Sequence, residues 1–307
     1  MFESSYLIDP GSHTTRMYDP KTRSIVSVRS CRLAKHPQIV GSQALEQFWG
    51  SDDRLIYPFN KEKIKADPVP LIKELFNQAP MDRYLLVPRA GILCYGKPSE
   101  EYLKEWQLLM RPFHLSKVSL VPAFEPLEES PSFQIHAGAS LIHFVSYADQ
   151  QILDYQALPL AGLKIDEAIS KAITKAFQIL ISMEDACALK ETISNALKQG
   201  RNPILTVTGL NQHNEYEQVR FRAADLWGCV QPLLKQIATA AATFVCRKGP
   251  EVMEQLLSQP VLLTGGLANC YELPQYFEQA LHDQVHVPDH PETWLLEKRG
   301  RQKPVPR

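Results

Sequence analysis

The chain has 307 residues, 44% of them hydrophobic, which is enough for about two globular domains with sizeable cores. Its 33 Lys and Arg residues nearly balance 34 Asp and Glu residues, so bulk charge predicts no nucleic-acid or membrane partner. Six cysteines without a Cys-x-x-Cys pair predict reduced thiols rather than disulfides or a metal centre. Only five residues precede the first predicted strand, and no apolar run reaches the length of a membrane span. We therefore expect neither a signal peptide nor a transmembrane helix.

The first part of the chain mixes short strands with helices. Apolar runs between turn residues predict strands at Tyr6–Asp9, Arg16–Tyr18, Ser24–Val28, Tyr84–Val87 and Val118–Val121. Helical spacing of apolar residues predicts helices at Gln43–Trp49, Val69–Gln78 and Glu100–Pro112, the last with Ser99 as its N-cap. Tyr57–Phe59 is predicted to be irregular.

A proline-rich stretch then interrupts the pattern. Pro122, Pro126 and Pro131 fall within ten residues, which argues against a long helix and predicts a domain boundary. We therefore predict one domain over residues 1–130, a second over residues 131–290 and a tail over residues 291–307. The tail is basic from Lys298 onward and is predicted to be disordered.

The second part of the chain repeats the order of the first. Strands are predicted in a hairpin over residues 133–145 and at Gln151–Leu158, Ile204–Thr208, Val261–Thr264 and Val285–Val287. Helices are predicted at Asp166–Ile181, Glu184–Lys198 and Leu273–Leu281, and Gln218–Arg247 is predicted to be mostly helical with a break at Pro232. Strands followed by strand–helix alternation, twice over, predict an α/β chain of two similar halves.

Two hairpins with glycine-centred turns form the main candidate site. They span residues 6–18 and 133–145, and Gly138 corresponds to Gly11. Turns of Gly, Ser and Thr offer N–H and hydroxyl groups to a phosphate, so two copies predict two halves that bind one nucleotide. His136 stands where the first copy has Asp9. An acid at that position could hold Mg²⁺, whereas histidine is a poor ligand for this cation.

A third candidate element is the strand–glycine–helix segment Leu263–Ala268. Glycines allow a close approach to a ligand, and a following helix N-terminus favours anions, although a simple tight turn explains the same pattern. His282, His286 and His290 would share one face of a continuous helix and could bind zinc. Pro288 and the predicted strand oppose such a helix, so we predict exposed loop histidines.

These motifs, in this order, resemble the actin and sugar-kinase superfamily, and most closely the MreB family of bacterial actins. The resemblance covers nearly the whole chain, and it is their collinear order that makes it specific. The matching segments are Ile8–Thr15 for the first phosphate loop, Leu86–Gly91 for a strand end, Leu160–Ile169 for the second-domain helix and Val261–Gly266 for the adenosine motif.

The resemblance implies an α/β, actin-like fold of two related domains, each a mixed sheet with flanking helices, around a nucleotide cleft. It implies ATP and Mg²⁺ as cofactors, with Asp9 on the metal side and Glu125 as the stand-in for a water-positioning glutamate. The implied nucleotide-binding residues are Gly11, Ser12, His13, Thr14, Gly138, Ala139, Ser140, Gly162, Lys190, Gly265, Gly266 and Leu267. From its helix alone, Lys190 would be assigned to a solvated face.

The chain departs from the family in its second phosphate loop. His136 replaces the acid, and Leu141 and Ile142 replace two threonines. The interdomain helix of this family is also shortened in the chain. Losing a metal-side acid removes much of the catalysis of phosphoryl transfer, and methyl groups leave phosphate oxygens without partners. We therefore predict a retained fold with weakened or lost hydrolysis.

The leading hypothesis is an MreB-like cell-shape protein that binds ATP and forms filaments or joins those of MreB-type protomers. Cell-wall synthesis or membrane proteins are further expected partners, in the cytoplasm or at the inner face of the membrane. Two alternatives remain open. One is a non-polymerising pseudo-ATPase scaffold of the same fold. The other is a small-molecule kinase with Asp166 as the base.

Overall fold

The computed structural model describes residues 5–48, 51–79, 87–126 and 132–301. The chain divides into two compact units: unit 1 comprises Met1–Glu125 with Thr293–Arg307, and unit 2 comprises Pro126–Glu292. The chain therefore leaves unit 1, builds unit 2 and returns. Across the described ranges, no helix combines the length and apolar character that a membrane crossing requires.

Unit 1 is built on a mixed sheet. Its strands are β1 (Ser5–Pro10), β2 (Thr14–Asp19), β3 (Ser24–Arg29), β4 (Arg32–Leu33), β5 (Leu55–Ile56), β6 (Phe59–Asn60), β7 (Lys63–Ile64), β8 (Arg89–Cys94) and β9 (Lys117–Pro122). Its first helices are α1 (Gly41–Phe48), α2 (Val69–Gln78) and α3 (Glu100–Leu109). Five strands form the main sheet in the order β3-β2-β1-β8-β9, antiparallel on one side of β1 and parallel on the other. Ile8, Leu75 and Trp106 are buried in its core.

Unit 2 repeats this plan. Its strands are β10 (Phe133–Ala137), β11 (Ile142–Ala148), β12 (Gln151–Leu158), β13 (Ile204–Leu210), β14 (Tyr216–Arg222), β15 (Val261–Thr264) and β16 (Val285–His286). Its helices are α4 (Gly162–Phe177), α5 (Met183–Lys198), α6 (Ala223–Trp227), α7 (Gln231–Cys246), α8 (Pro250–Leu256) and α9 (Leu273–Leu281). The main sheet has the order β12-β11-β10-β15-β16, which matches unit 1 strand for strand. The predicted α/β fold of two related halves is confirmed.

One predicted helix start is confirmed, and two other predicted segments differ from the structure. The Ser99 side chain accepts a hydrogen bond from the Tyr102 N–H at 3.2 Å, which confirms it as the N-cap of α3. The predicted helix Asp166–Ile181 is shifted, because α4 already begins at Gly162 and ends at Phe177. The predicted irregular segment also contains Phe59, which pairs with Ile64 between β6 and β7.

The prediction of a mostly helical Gln218–Arg247 is wrong at its start. β14 pairs with β13 there and buries Val219 and Phe221 at alternate positions, as strand geometry requires. Two helices follow, and Pro232 lies in the first turn of α7, where its missing N–H is tolerated.

The prediction of a disordered tail from Lys298 is wrong as far as Arg301. Helix α10 (Trp294–Arg301) buries Leu295 and Leu296 in unit 1. A Cβ added to Gly300 would lie 2.4 Å from a ring carbon of Tyr18, so only glycine allows this close contact. Residues 302–307 lie outside the described part of the chain.

Three further predictions concern single segments. Positions 84–86 of the predicted strand Tyr84–Val87, and Trp49, lie outside the described residues, and the strand beside β1 is β8, which follows Pro88. All six cysteines are free thiols, as predicted. His282, His286 and His290 do not share a helix, because the first two lie after α9 and in β16.

Candidate functional site

The first candidate turn joins β1 to β2 in unit 1. A Cβ on Gly11 would lie 2.4 Å from the Thr14 carbonyl oxygen, so the turn closes only around a residue without a side chain. The Ser30 hydroxyl donates to the Gly11 carbonyl at 2.6 Å, and the Ser30 N–H donates to the His13 carbonyl at 3.0 Å. The neighbouring Ser30 therefore holds both sides of the turn.

The protonation of His13 follows from its partners. Arg29 Nη1 donates to His13 Nδ1 at 2.9 Å, and a guanidinium has no acceptor atom. Nδ1 is therefore unprotonated and the ring proton lies on Nε2. The Thr14 hydroxyl lies 2.9 Å from the same Nδ1. The first turn thus carries a neutral imidazole with a guanidinium beside it.

Asp9 lies at the end of β1 and is only 5% exposed. Burial raises the pKa of its carboxyl above the ordinary value, while Arg16, its partner on β2, and a hydrogen bond from Tyr95 lower it. The Tyr95 hydroxyl donates to Asp9 Oδ1 at 3.1 Å. Burial also raises the pKa of Tyr95 well above its ordinary value, so the phenol stays a donor.

The second candidate turn joins β10 to β11 in unit 2 and is supported by helix α4. The Gly138 N–H donates to the Leu141 carbonyl at 2.9 Å. The Gly162 N–H donates to the Gly138 carbonyl at 3.3 Å, and the Leu163 N–H donates to the Ala139 carbonyl at 2.8 Å. Ala161 offers no side-chain cap for α4. The carbonyl groups of the turn instead accept hydrogen bonds from the first N–H groups of this helix.

A buried chain of hydrogen bonds includes His136. The Tyr147 hydroxyl donates to Gln134 Oε1 at 3.2 Å, and Gln134 Nε2 donates to Thr264 Oγ1 at 3.4 Å. Thr264 Oγ1 lies 3.1 Å from His136 Nδ1 and 3.5 Å from the Ile135 carbonyl oxygen. Gln134, Thr264 and His136 are therefore joined in one buried polar network.

Gly265 brings a third turn to the same edge of the unit 2 sheet. It follows β15, has φ +91°, and a Cβ there would lie 2.3 Å from the Ala137 carbonyl oxygen. Its own N–H donates to the Pro291 carbonyl at 2.7 Å. A 3-10 helix (Gly266–Asn269) follows, so Gly265–Gly266 does not open α9 directly as predicted. Leu267 is buried in the hydrophobic core of unit 2.

Lys190 is not on a solvated face. Its ammonium lies 2.7 Å from Asp166 Oδ1, and the two side chains are 12% and 2% exposed. Burial lowers the pKa of Lys190, but the carboxylate of Asp166 outweighs this effect and leaves the pKa above its ordinary value. α4 and α5 are thus joined by a buried ion pair, and Asp166, the candidate base of a kinase, is one of its partners.

Glu125 ends the first segment of unit 1, and its side chain is exposed. Arg299 of α10, itself 7% exposed, donates from Nε to the Ala123 carbonyl at 3.0 Å and from Nη2 to the Glu125 carbonyl. Phe124 packs edge-on against Tyr95, with ring centroids 5.7 Å apart. Arg299 therefore fixes the backbone of Glu125. The preceding residue, Phe124, contacts Tyr95, which in turn donates a hydrogen bond to Asp9.

Within each unit, the structure brings most predicted residues together. Unit 1 gathers Asp9 and the predicted turn residues Gly11, Ser12, His13 and Thr14 at one end of β1. Unit 2 gathers Gly138, Ala139, Ser140, Gly162 and Gly265 at the carboxyl ends of β10 and β15, the edge at which α/β sheets bind ligands.

The residues that sequence reasoning missed are the ones that hold these groups. Tyr95 contacts a residue 86 positions away and Thr264 one 128 positions away, so no local pattern reveals either contact. Arg29 likewise reaches His13 across 16 positions.

Comparisons with known proteins identify a family from the sequence and a fold from solved structures. The family model described as "MreB/Mbl protein" matches residues 131–303. Two solved structures of MreB5 of Spiroplasma citri, bound to ADP and to AMPPNP, each align with a TM-score of 0.84 at 14% identity. Each alignment covers 97% of this chain and 95% of the other. At this identity the likeness establishes the fold, which is the actin-like fold. A search of curated protein sequences finds no match.

Proposed function

Because the chain belongs to the MreB/Mbl family of actin-like cytoskeletal proteins, we propose that it binds ATP with weakened or lost hydrolysis and forms or joins filaments. The solved MreB5 structures hold ADP and AMPPNP, and adenine nucleotide is carried over from them to this chain. Its role would be in cell shape, with MreB-type protomers and cell-wall synthesis or membrane proteins as partners.

One observation supports nucleotide binding most directly, namely the convergence of three backbone turns in unit 2. Gly138, Gly162 and Gly265 meet at the carboxyl ends of β10 and β15, and Gly265 lies against the backbone of Ala137. Such bare backbone at a sheet edge allows a close approach of a polar ligand.

The hydrolysis part of the proposal is supported by the side chains at the strand ends. His136 is bound to Thr264 and cannot act as an acid that holds a hard cation. The backbone of Glu125 is fixed by Arg299 and its side chain is exposed. We propose Glu125 as the water-positioning residue and Asp9 as the acid on the metal side.

The test combines three measurements on the purified chain: calorimetry with ATP, phosphate release, and sedimentation with and without an MreB-type partner. We expect measurable binding, phosphate release far below that of the partner, and sedimentation alone or together with the partner. If the chain neither pellets nor interacts with the partner, the filament proposal is contradicted.

The second candidate function is a non-polymerising pseudo-ATPase scaffold. The departures from the family in the second phosphate loop favour it. It predicts no measurable affinity for ATP at millimolar concentration and no sedimentation. A small-molecule kinase is not proposed, because Asp166 is held in the buried ion pair with Lys190.

A further inference from the structure

Strand β9 (Lys117–Pro122) forms one edge of the main sheet of unit 1. It pairs in parallel with β8 and, within the described ranges, with no second strand. In a sheet ladder, alternate residues of an edge strand point their N–H and C=O groups away from the neighbouring strand. The four residues between Lys117 and Pro122 carry no charge that would keep another strand away. The edge of β9 is therefore able to accept a further strand.

A groove of about 810 Å³ runs along this edge, between β9 and helix α3. Its strand wall consists of four consecutive residues, from Lys117 to Leu120. Successive side chains of a strand point to opposite faces of the sheet. A groove that contacts four residues in succession therefore lies against the backbone edge of β9 and not over one face of the sheet.

Helix α3 forms the opposite wall of the groove. Leu103, Gln107 and Met110 line it at helical spacing, so they share one face of the helix. Trp106 of the same helix is buried in the core of unit 1, and Ser99 caps the first turn. The helix is thus fixed, and its wall offers two apolar side chains and one amide to the side chains of an extended segment.

The two ends of the groove differ in charge. Arg111, His114 and Lys117 line one end, and all three side chains are exposed. Glu100 lines the other end, because α3 connects two parallel strands and runs back along them. In the part of the chain that the structure describes, no acidic side chain pairs with any of the three basic residues. The basic end is therefore complementary to a carboxylate.

We propose that this groove binds an extended peptide segment of a partner protein, which adds to β9 as an antiparallel strand with its acidic C-terminal end beside Arg111, His114 and Lys117. The direction follows from the charges. The basic end adjoins the start of β9, where an antiparallel strand ends, and a chain ends in a carboxylate but begins with an ammonium group. Backbone hydrogen bonds provide the affinity, and the groove and its basic end select the side chains. The binding requires no nucleotide, so it does not rest on the proposed function.

The test measures the fluorescence polarisation of a synthetic peptide as purified chain is added without nucleotide. The peptide has an N-terminal fluorescein, three valine–threonine repeats, two glutamates and a free C-terminus, and we expect saturable binding. The same peptide with two lysines and an amidated C-terminus should bind at least about tenfold more weakly. Methylation of the backbone nitrogens of the repeats should also weaken binding at least about tenfold, because it removes the hydrogen-bond donors.

Two lysines of unit 1 provide a matched pair of charge reversals. Lys117→Glu places an acid at the basic end and should weaken binding of the glutamate peptide at least about threefold, while it tightens binding of the lysine peptide. Lys104→Glu is the same change at an exposed position of α3 outside the groove, and it should leave both affinities at their wild-type values. Thermal melting establishes that each variant is folded. If Lys117→Glu does not fold, the peptide comparisons on the wild-type chain decide the matter.

Hydrogen exchange measured by mass spectrometry locates the bound peptide. Saturating peptide should slow amide exchange in β9 and leave β3, the opposite edge of the same sheet, unchanged. No saturable binding at about 1 mM peptide, or protection of β3 in place of β9, overturns the proposal. Equal affinities for the glutamate and lysine peptides overturn the assigned direction. Binding to phosphatidylglycerol vesicles that Lys117→Glu abolishes, without peptide binding, assigns the basic end to a lipid surface and also overturns the proposal.

Discussion

Asp9 is held in surroundings that disfavour its charge, and this has a measurable consequence. Its pKa is raised above 3.8 by burial, despite the opposing effects of Arg16 and Tyr95. A carboxyl whose pKa is raised by folding stabilises the fold below its unfolded pKa and ceases to do so as the pH rises through the folded value. At neutral pH the burial of the Asp9 carboxyl therefore lowers the stability of the fold.

We predict that Asp9→Asn raises the free energy of unfolding at pH 7, because the amide keeps an acceptor for Tyr95 without the buried charge. The gain should vanish below about pH 3.8, where the carboxyl is protonated in both states. Urea denaturation across this pH range measures it. Glu105→Gln, at an exposed position of α3, should change stability by less than about 0.5 kcal/mol. An Asn variant that is less stable at pH 7 would contradict the prediction.

Gly265 and Gly266 are adjacent, but their environments differ sharply. A Cβ at Gly265 meets the Ala137 carbonyl oxygen at 2.3 Å in a backbone with φ +91°, whereas the nearest atom to a Cβ at Gly266 is Glu292 Cβ at 4.0 Å. We predict that Gly265→Ala lowers the free energy of unfolding by roughly 2 kcal/mol or more, from backbone strain and displacement of β10.

The matched variant Gly266→Ala should stay within about 0.5 kcal/mol of the wild type. Chemical denaturation of the two variants side by side measures the difference. Equal losses would mean that the turn after β15 relaxes freely, and would weaken the argument that bare backbone is required at this edge.

At the scale of elements, α10 is attached to unit 1 by its buried leucines and by the hydrogen bonds of Arg299. Arg299 bonds two backbone carbonyls at the end of the first segment, and hydrogen bonds from a charged group contribute about 1.5–3 kcal/mol each. We predict that Arg299→Met, which keeps much of the side-chain length, lowers the free energy of unfolding by about 2–3 kcal/mol, because the Ala123 carbonyl loses its charged partner.

Arg301→Met is the control for this helix. Arg301 is exposed and pairs only with Glu297 one turn earlier on the helix among the contacts described for it, so its loss should be within about 0.5 kcal/mol. Urea titrations of the two variants make the comparison, and similar losses from both would remove the special role of Arg299.

Elements that depend on their local sequence were predicted, whereas elements that depend on contacts with distant residues were missed. The hairpins over residues 6–18 and 133–145 follow from their own apolar alternation and turn glycines. β14 was missed because its Val219–Phe221 alternation is short, and only pairing with β13 makes a strand of it. Helix α10 was missed because its basic, glycine-containing sequence is held by Tyr18 and Ala123, more than 170 positions away.

At the scale of the whole molecule, the same limit applies to the candidate site. The repeated Gly turns were visible because they are local and occur twice. The Tyr95 hydroxyl, the Thr264 hydroxyl and the Arg29 guanidinium contact the Asp9, His136 and His13 side chains near these turns, and each contact joins separate parts of the chain. The buried Lys190–Asp166 pair was missed for the same reason, since a helical pattern alone assigns lysine to solvent.

The reactivity of the cysteine thiols tests the burial of residues in both units. We predict that iodoacetamide labels Cys246 first, because it is exposed, while Cys31, Cys187 and Cys270 are buried. Burial raises the pKa of Cys94 and Cys229 to about 11 and that of Cys270 to about 12, which depletes the reactive thiolate. Mass spectrometry of peptides after timed labelling measures the order.

Denatured protein should carry six labelled thiols, since all six are free. Fewer labels would indicate disulfides. Labelling of Cys270 as fast as Cys246 would show that unit 2 opens at the end of its 3-10 helix.

Unit 2 is inserted into unit 1, and this fixes an order of events during synthesis. A ribosome extends the chain from its N-terminus, at about 5–20 residues per second, so every strand of unit 2 is made before Thr293. Unit 1, although begun first, lacks α10 and its arginine until the end. The later unit can therefore complete its fold first, and a chain stalled before Thr293 carries a finished second unit beside a first unit still missing its closing helix.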